Sequence, residues 1–319
     1  MLFLLVISNT NVAEIPGITV AGENPEIVKY TPPADAEYLF YERPLCIDTV
    51  PVTPAGHPTP GIITKAVREL VNMPVMVVRA GSIIAPNLPY IHITDRHGEN
   101  IVNETAIKDI EVIMNNARIL ARQVHQSEIM IAESIPGGTT TAQAVLTALG
   151  YDAQVSSADI ENPISLKKEV VEKAMSRIKF PVTWKTVLKE LGDPMMAFIN
   201  GFVPEFEGAV YLAGGTQMLA VAALLKEQGI KVKKIATTRY ITEDRLSSFK
   251  KTAAEIGAEY YSAPLNFSGS KYKGLRDYES GMVKEGVGAG GAVYLAEKNG
   301  IGVSKITERV EKLYSKFLR

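Results

Sequence analysis

Two glutamates and two glycine-rich loops hold the residue types in this chain that can do chemistry. Glu133 closes the apolar run Ile129-Met-Ile-Ala, and Ser-Ile-Pro-Gly137-Gly138-Thr139-Thr140-Thr141 follows before an alanine-rich helical pattern begins. A strand, a tight loop and a helix start in that order leave unpaired backbone N–H groups and a partial positive charge at the end of the loop. Glycines let a phosphate approach that backbone, and threonine hydroxyls can cap the helix or donate to a phosphate oxygen. An ordinary capped β-α turn has the same pattern, because a glycine-rich turn alone is a weak signal. The motif recurs, however: Pro-Gly-Gly-Thr at 136–139 is echoed by Ala-Gly214-Gly215-Thr216, again between an apolar run and a helical pattern. Glu285, ahead of Gly286-Val-Gly288-Ala-Gly-Gly, adds a second acid at a glycine-rich helix start. Two backbone cradles suit a ligand with a phosphate and a sugar. Two acids suit proton abstraction or stabilisation of a cationic centre.

The elements that would carry these residues alternate. Apolar runs at 1–7, 74–79, 129–132, 208–213, 232–238 and 258–262 read as strands, with helical patterns at 59–71, 104–123, 218–228 and 243–256 among them. Such alternation predicts an α/β fold with a doubly wound, mainly parallel sheet covered on both faces, and ligands of such sheets bind at the carboxyl edge. Helices at 166–178 and 184–191, and one capped by Asp193 with Pro194 at its first position, predict a smaller helical lobe. It is expected from about 165–206 together with a C-terminal helix at 303–318, within a single α/β unit spanning 1–319. Tyr38-Leu-Phe-Tyr and Pro44-Leu-Cys-Ile read as two further short strands, and Val50 to Gly61 as a proline-punctuated loop. Arg79 at the end of its strand, with Ser82 in the small-residue loop beyond, reads as an arginine tying down a loop, with anion binding as the alternative.

Composition excludes several function classes. The 319 residues are 46% hydrophobic and 22% charged, as in a globular protein with an ample core. A formal net charge of -1 argues against nucleic acid or an anionic membrane as a partner. Cys46 is the only cysteine, and His57, His92, His97 and His125 lack ligand spacing, so no metal is expected. The apolar start, Met1 to Ile7, has no basic flank and is too short for a signal core or a span. It reads as a buried strand of a cytoplasmic protein.

A family resemblance becomes visible at the same residues. Glu133-Ser-Ile-Pro-Gly137-Gly138-Thr139-Thr140 aligns without gaps with Glu-Met-Gly-Ile-Gly-Asn-Thr-Thr of the nicotinate-nucleotide:dimethylbenzimidazole phosphoribosyltransferases, the CobT-type enzymes. Glu285-Gly286-Val287-Gly288-Ala289 is similar to their Glu-Gly-Thr-Gly-Ala, and the chain resembles the archaeal branch of that family. Gly138 stands where the bacterial motif has Asn and Ile135 where it has Gly. Of the bacterial N-terminal Pro-Pro-Gly-Ser-Leu-Gly only Thr59-Pro60-Gly61-Ile remains as a counterpart.

The resemblance implies transfer of the 5-phosphoribosyl group of nicotinate mononucleotide to a benzimidazole-like base, with release of nicotinate, in cobalamin nucleotide-loop assembly. It implies Glu285 as general base, Glu133 as the acid of the loop lining the active site, Gly137, Thr139 and Thr140 on the nucleotide-binding loop, and Gly288 on the second motif. It requires no cofactor and implies a homo-oligomer, a dimer. A non-catalytic nucleotide- or corrinoid-precursor-binding protein of the same fold is the alternative. A dinucleotide oxidoreductase is disfavoured, since no Gly-x-Gly-x-x-Gly follows the first strand.

Overall fold

Leu2–Ile7 is apolar and buried at all six positions, as a central parallel strand covered on both faces must be. In the computed structural model this segment is β1 of a seven-stranded sheet; residues 1–19, 25–49, 56–155, 163–179 and 181–318 are described. The other strands are β2 (Val75–Ala80), β3 (Ile91–Thr94), β4 (Glu128–Ser134), β5 (Ala209–Ala213), β6 (Lys234–Thr238) and β7 (Tyr260–Ala263). Their order is β3-β2-β1-β4-β5-β6-β7, and every pairing is parallel.

The expected doubly wound α/β fold is therefore present. The chain winds outward from β1 to β3, then returns to lay β4 against the other side of β1, so the winding reverses between β1 and β4. Their register pairs Val6 with Glu133 and Ile7 with Ser134 at the carboxyl edge. Crevices at such reversals are where ligands of open α/β sheets sit.

Side-chain alternation divides the core into two layers. Leu4, Val6, Ile129 and Ile131 pack against helices Ile110–Ala121, Gly138–Ala148, Pro194–Phe202 and Thr216–Glu227. Phe3, Leu5, Met130 and Ala132 pack on the opposite face against Gly61–Val71, Ala289–Lys298 and Val303–Phe317. The two parts expected in a smaller helical lobe thus lie on opposite faces: Ile164–Ser176, Trp184–Leu191 and Pro194–Phe202 on the first, Val303–Phe317 on the second. Asp193 caps its helix as its sequence suggests, accepting from the Met196 N–H at 2.9 Å.

Some expectations fail for identifiable reasons. Residues 38–41 are not a strand: Thr31–Tyr38 is a helix with its prolines in the first turn, where no N–H is needed. Residues 44–47 are not a strand either; the amides of Leu45 and Cys46 both donate to the buried Glu37 carboxylate, which leaves no ladder to join. The short edge strand β3 is not among the expected strands, because Ile-His-Ile-Thr is too brief for its alternation to stand out. Residues 50–55 of the proline-rich loop lie outside the described residues. Arg79 does tie down its loop, donating to the carbonyls of Ser82 and Ile83 and pairing with Asp95. Among the described residues no helix is long and apolar enough to cross a membrane.

Candidate active site

Three helices begin at the carboxyl edge on either side of β4 and β5, at Gly138, Thr216 and Ala289. Each presents the positive end of its dipole there. Glu133 lies beneath them as the next-to-last residue of β4, 3% exposed. Burial pushes its carboxyl from the ordinary 4.5 up to about 8, helped by the charges of Glu285, Asp193 and Asp35 and opposed by the Ile135 N–H. Its neighbourhood is thus acidic.

The Gly137–Thr141 segment makes a left-handed turn at Gly137 and enters its helix at Gly138, which puts all three threonines in the first turn. Gly137 has φ +80°, and a Cβ there would lie 2.9 Å from the Ala13 nitrogen, so only glycine fits. No side chain caps the helix that follows. The three threonines divide the work. Thr139 is half-exposed and accepts from the Lys167 Nζ at 3.1 Å. Thr140 is fully buried with its hydroxyl unpartnered. Thr141 turns inward instead of toward a ligand, donating to Asp193 at 2.7 Å. The second loop meets the first: a Cβ on Gly138 would lie 3.4 Å from the Gln217 side chain, and one on Gly214 would lie 3.5 Å from Glu133 Oε1. Gly215 is the N-cap of helix Thr216–Glu227, and Thr216 carries a second buried, unpartnered hydroxyl.

Glu285 reaches the same edge from the far side. Its carboxylate accepts from the Thr238 N–H at 2.8 Å, the Gly286 N–H at 3.1 Å and the Gly290 N–H at 3.2 Å. Desolvation raises its pKa to about 7 even against these hydrogen bonds, each of which favours the charged form. Gly288, at φ +67°, lets the loop lie on the sheet: a Cβ there would sit 2.5 Å from the Ala132 Cβ. The Val287 N–H donates to the Glu133 carbonyl at 3.1 Å, which ties the two acid-bearing segments together.

Four groups that the sequence did not assign to the site complete the arrangement. Asp35 accepts from Ser134 at 2.7 Å and Thr59 at 2.8 Å, and Asp193 from Thr141. Burial lifts both carboxyls to about 6. Lys167, 2% exposed, is pushed down to about 7 by burial and by the charge of Lys284. Lys284 is itself buried and paired with Asp244 at 2.8 Å. Lys167 did leave a trace in the sequence, since it shares the buried stripe of Val170, Val171 and Ala174 on its helix. Asp35, inside a proline-rich stretch, left none.

Every acid and loop singled out from the sequence is thus at one edge, around the reversal between β1 and β4. Thr139, Gln217, Glu285 and Gly286 are its half-exposed members. Among the described residues no group of three or more His, Cys, Asp or Glu side chains is arranged to hold a metal ion. A surface crevice lined by Lys226, Lys231 and Ile256 lies among the loops that enter β6 and β7, at the opposite edge.

Comparison with solved structures gives the fold a class. It is similar to the nicotinate-nucleotide-dimethylbenzimidazole phosphoribosyltransferase of Thermus thermophilus, with TM-score 0.64 at 14% identity over 98% of this chain and 82% of that one. A structure of CobT from the same organism gives 0.62 at 14% identity, covering 94% and 86%. At that identity the likeness is one of fold. No family model matches the chain. In sequence it is 52% identical to a UPF0284 protein of Pyrococcus furiosus, covering 99% of both chains, and 45% identical to one of Archaeoglobus fulgidus, covering 99% of this chain and 94% of that one. The chain belongs to the archaeal UPF0284 family.

Proposed function

We propose that the protein is a phosphoribosyltransferase that moves the 5-phosphoribosyl group of nicotinate mononucleotide to a ring nitrogen of a benzimidazole-like base, releasing nicotinate, in cobalamin nucleotide-loop assembly. One observation carries the reading: a half-exposed carboxylate fixed by three backbone amides, Glu285, shares an edge with an uncapped glycine–threonine helix start backed by Lys167.

The phosphate lies against the Gly137–Thr139 backbone, with Lys167 as its counter-charge. Gly214, Gly215 and Thr216 border the ribose. Attack by the acceptor nitrogen on C1′ forms one C–N bond as the bond to the pyridinium nitrogen breaks, and that electron pair leaves with nicotinate. Attack from the opposite face inverts the anomeric centre to an α-riboside. The acceptor, cationic once alkylated, releases its other N–H proton to Glu285. Positive charge at the reacting ring and sugar faces the Glu285 carboxylate, which stabilises the transition state electrostatically, while the loops and the protonated Glu133 beneath them fix its geometry. The same reading takes the protein as a homodimer, which sedimentation would check.

Purified protein given nicotinate mononucleotide and a benzimidazole should release nicotinate only when both are present. Glu285→Gln should lower the rate by about 10²- to 10⁴-fold while leaving the fold intact, the usual weight of a general base. Absence of turnover with every benzimidazole and purine acceptor overturns the enzymatic reading. Binding of nicotinate mononucleotide without acceptor-dependent release would instead describe a nucleotide-binding protein of the same fold.

A further inference from the structure

The Glu285 loop contains a residue in a conformation that its side chain opposes. Among the described residues only Asn72 and Val287 combine positive φ with a side chain, at 49° and 53°. Asn72 ends the helix Gly61–Val71, where asparagine tolerates the left-handed region. A β-branched residue there is a genuine outlier, and such strain persists only where the surroundings impose it. Val287 is also the middle of three consecutive residues at positive φ, between Gly286 at +156° and Gly288 at +67°. The chain must curl back here, because the Glu285 carboxylate hydrogen-bonds to Gly290, five residues ahead of it.

The Val287 backbone is held from both sides. Its N–H donates to the Glu133 carbonyl at 3.1 Å, and its carbonyl accepts from Thr64 Oγ1 at 2.8 Å. Thr64 is fully buried in the second turn of helix Gly61–Val71, and Val287 is 2% exposed. The Val287 side chain is wedged against the start of that helix, its Cγ2 within 3.4 Å of where a Cβ on Gly61 would be. No sequence motif marks Thr64, which lies 223 residues from its partner.

We propose that Thr64 is a positioning residue for Glu285: its hydroxyl holds Val287 in the left-handed conformation that turns the Glu285 carboxylate onto the amides of Thr238 and Gly290. The catalytic part rests on the proposed function, in which Glu285 is the base; the conformational part does not. Without the hydroxyl, valine's preference for extended backbone opens the curl and the carboxylate loses its amides. A glycine at 287 needs no such clamp.

Thr64→Val removes the hydroxyl at constant shape, Thr64→Ser retains it, and Thr64→Val combined with Val287→Gly removes clamp and strain together. Amide hydrogen exchange at Thr238 and Gly290 reads the geometry without reference to activity. T64V should exchange at least tenfold faster at both amides, with Thr64→Ser and the double variant near wild type. In the nicotinate-release assay T64V should lower kcat by roughly 10- to 100-fold with KM for nicotinate mononucleotide little changed, and the double variant should recover most of that loss. Should T64V fail to fold, a folded double variant supports the clamp, and a double variant that also fails to fold overturns it. Unchanged exchange at Thr238 and Gly290 in T64V likewise overturns it. If wild-type protein turns over no acceptor, the proposed function falls while exchange still decides the clamp.

Discussion

Replacing Glu133 by glutamine should make the unliganded protein less sensitive to rising pH. Glu133 is 3% exposed, and burial, then the charges of Glu285, Asp193 and Asp35, raise its carboxyl from 4.5 to about 8. A carboxyl raised in the folded state keeps its proton longer there than in the unfolded chain. Its contribution to stability is therefore complete below the unfolded pKa and is lost as pH rises through the folded one. For Glu133 that window runs from 4.5 to about 8. Between pH 5.5 and 7.5 the unfolded chain has released this proton and the folded chain retains it, so each pH unit removes about 1.4 kcal/mol, and the interval about 2.7 kcal/mol. Glutamine keeps the shape and has no proton to lose. Over that interval Glu133→Gln should gain roughly 2–3 kcal/mol on wild type, or about 5 °C in Tm at about 2 °C per kcal/mol. Reversible urea unfolding across the pH series measures it. The slope left in the variant belongs to Asp35, Asp193 and Glu285, raised to about 6, 6 and 7, and to Lys167, which is lowered to about 7 and acts with the opposite sign. Stability–pH curves for the two proteins that run parallel from pH 5.5 to 7.5 would refute the reasoning.

Three further outcomes are expected. As a base lifted to about 7 by burial, Glu285 makes turnover rise with pH through neutrality and then level off, which a pH profile of kcat/KM reads directly; a profile flat from pH 5 to 8 would remove Glu285 from that role. Lys167→Ala should weaken nicotinate mononucleotide by roughly 10- to 100-fold, the weight of a charge-assisted hydrogen bond, and leave the dephosphorylated riboside unaffected; calorimetric titration of both compares them. Gly288→Ala drives a Cβ to 2.5 Å from Ala132 Cβ and 2.8 Å from Phe3 Cζ at φ +67°. It should cost about 3 kcal/mol or more in urea unfolding, through overpacking and backbone strain together.

Much of this fold can be read from periodicity, since a central parallel strand such as Leu2–Ile7 has no polar position to obscure it. Tyr38-Leu-Phe-Tyr misleads for the opposite reason: its apolar run is the end of a helix that two prolines begin. The acids and glycine loops were legible because strand-to-helix junctions write themselves in consecutive residues. What those loops lean on was not. Asp35 meets Ser134 across 99 residues and Thr64 meets Val287 across 223, separations at which a single sequence carries no signal. Thr141 shows a subtler limit: loop composition offers three hydroxyls to a ligand, and only the placement of Asp193 shows that one of them is occupied.

The nucleotide site itself is tested most directly by a crystal structure with nicotinate mononucleotide bound. The phosphate should lie on the backbone of Gly137 to Thr139 within reach of the Lys167 Nζ, the ribose C1′ should face the Glu285 carboxylate, and the pyridinium ring should border the acids. A phosphate bound elsewhere, or a C1′ turned away from Glu285, would contradict the account.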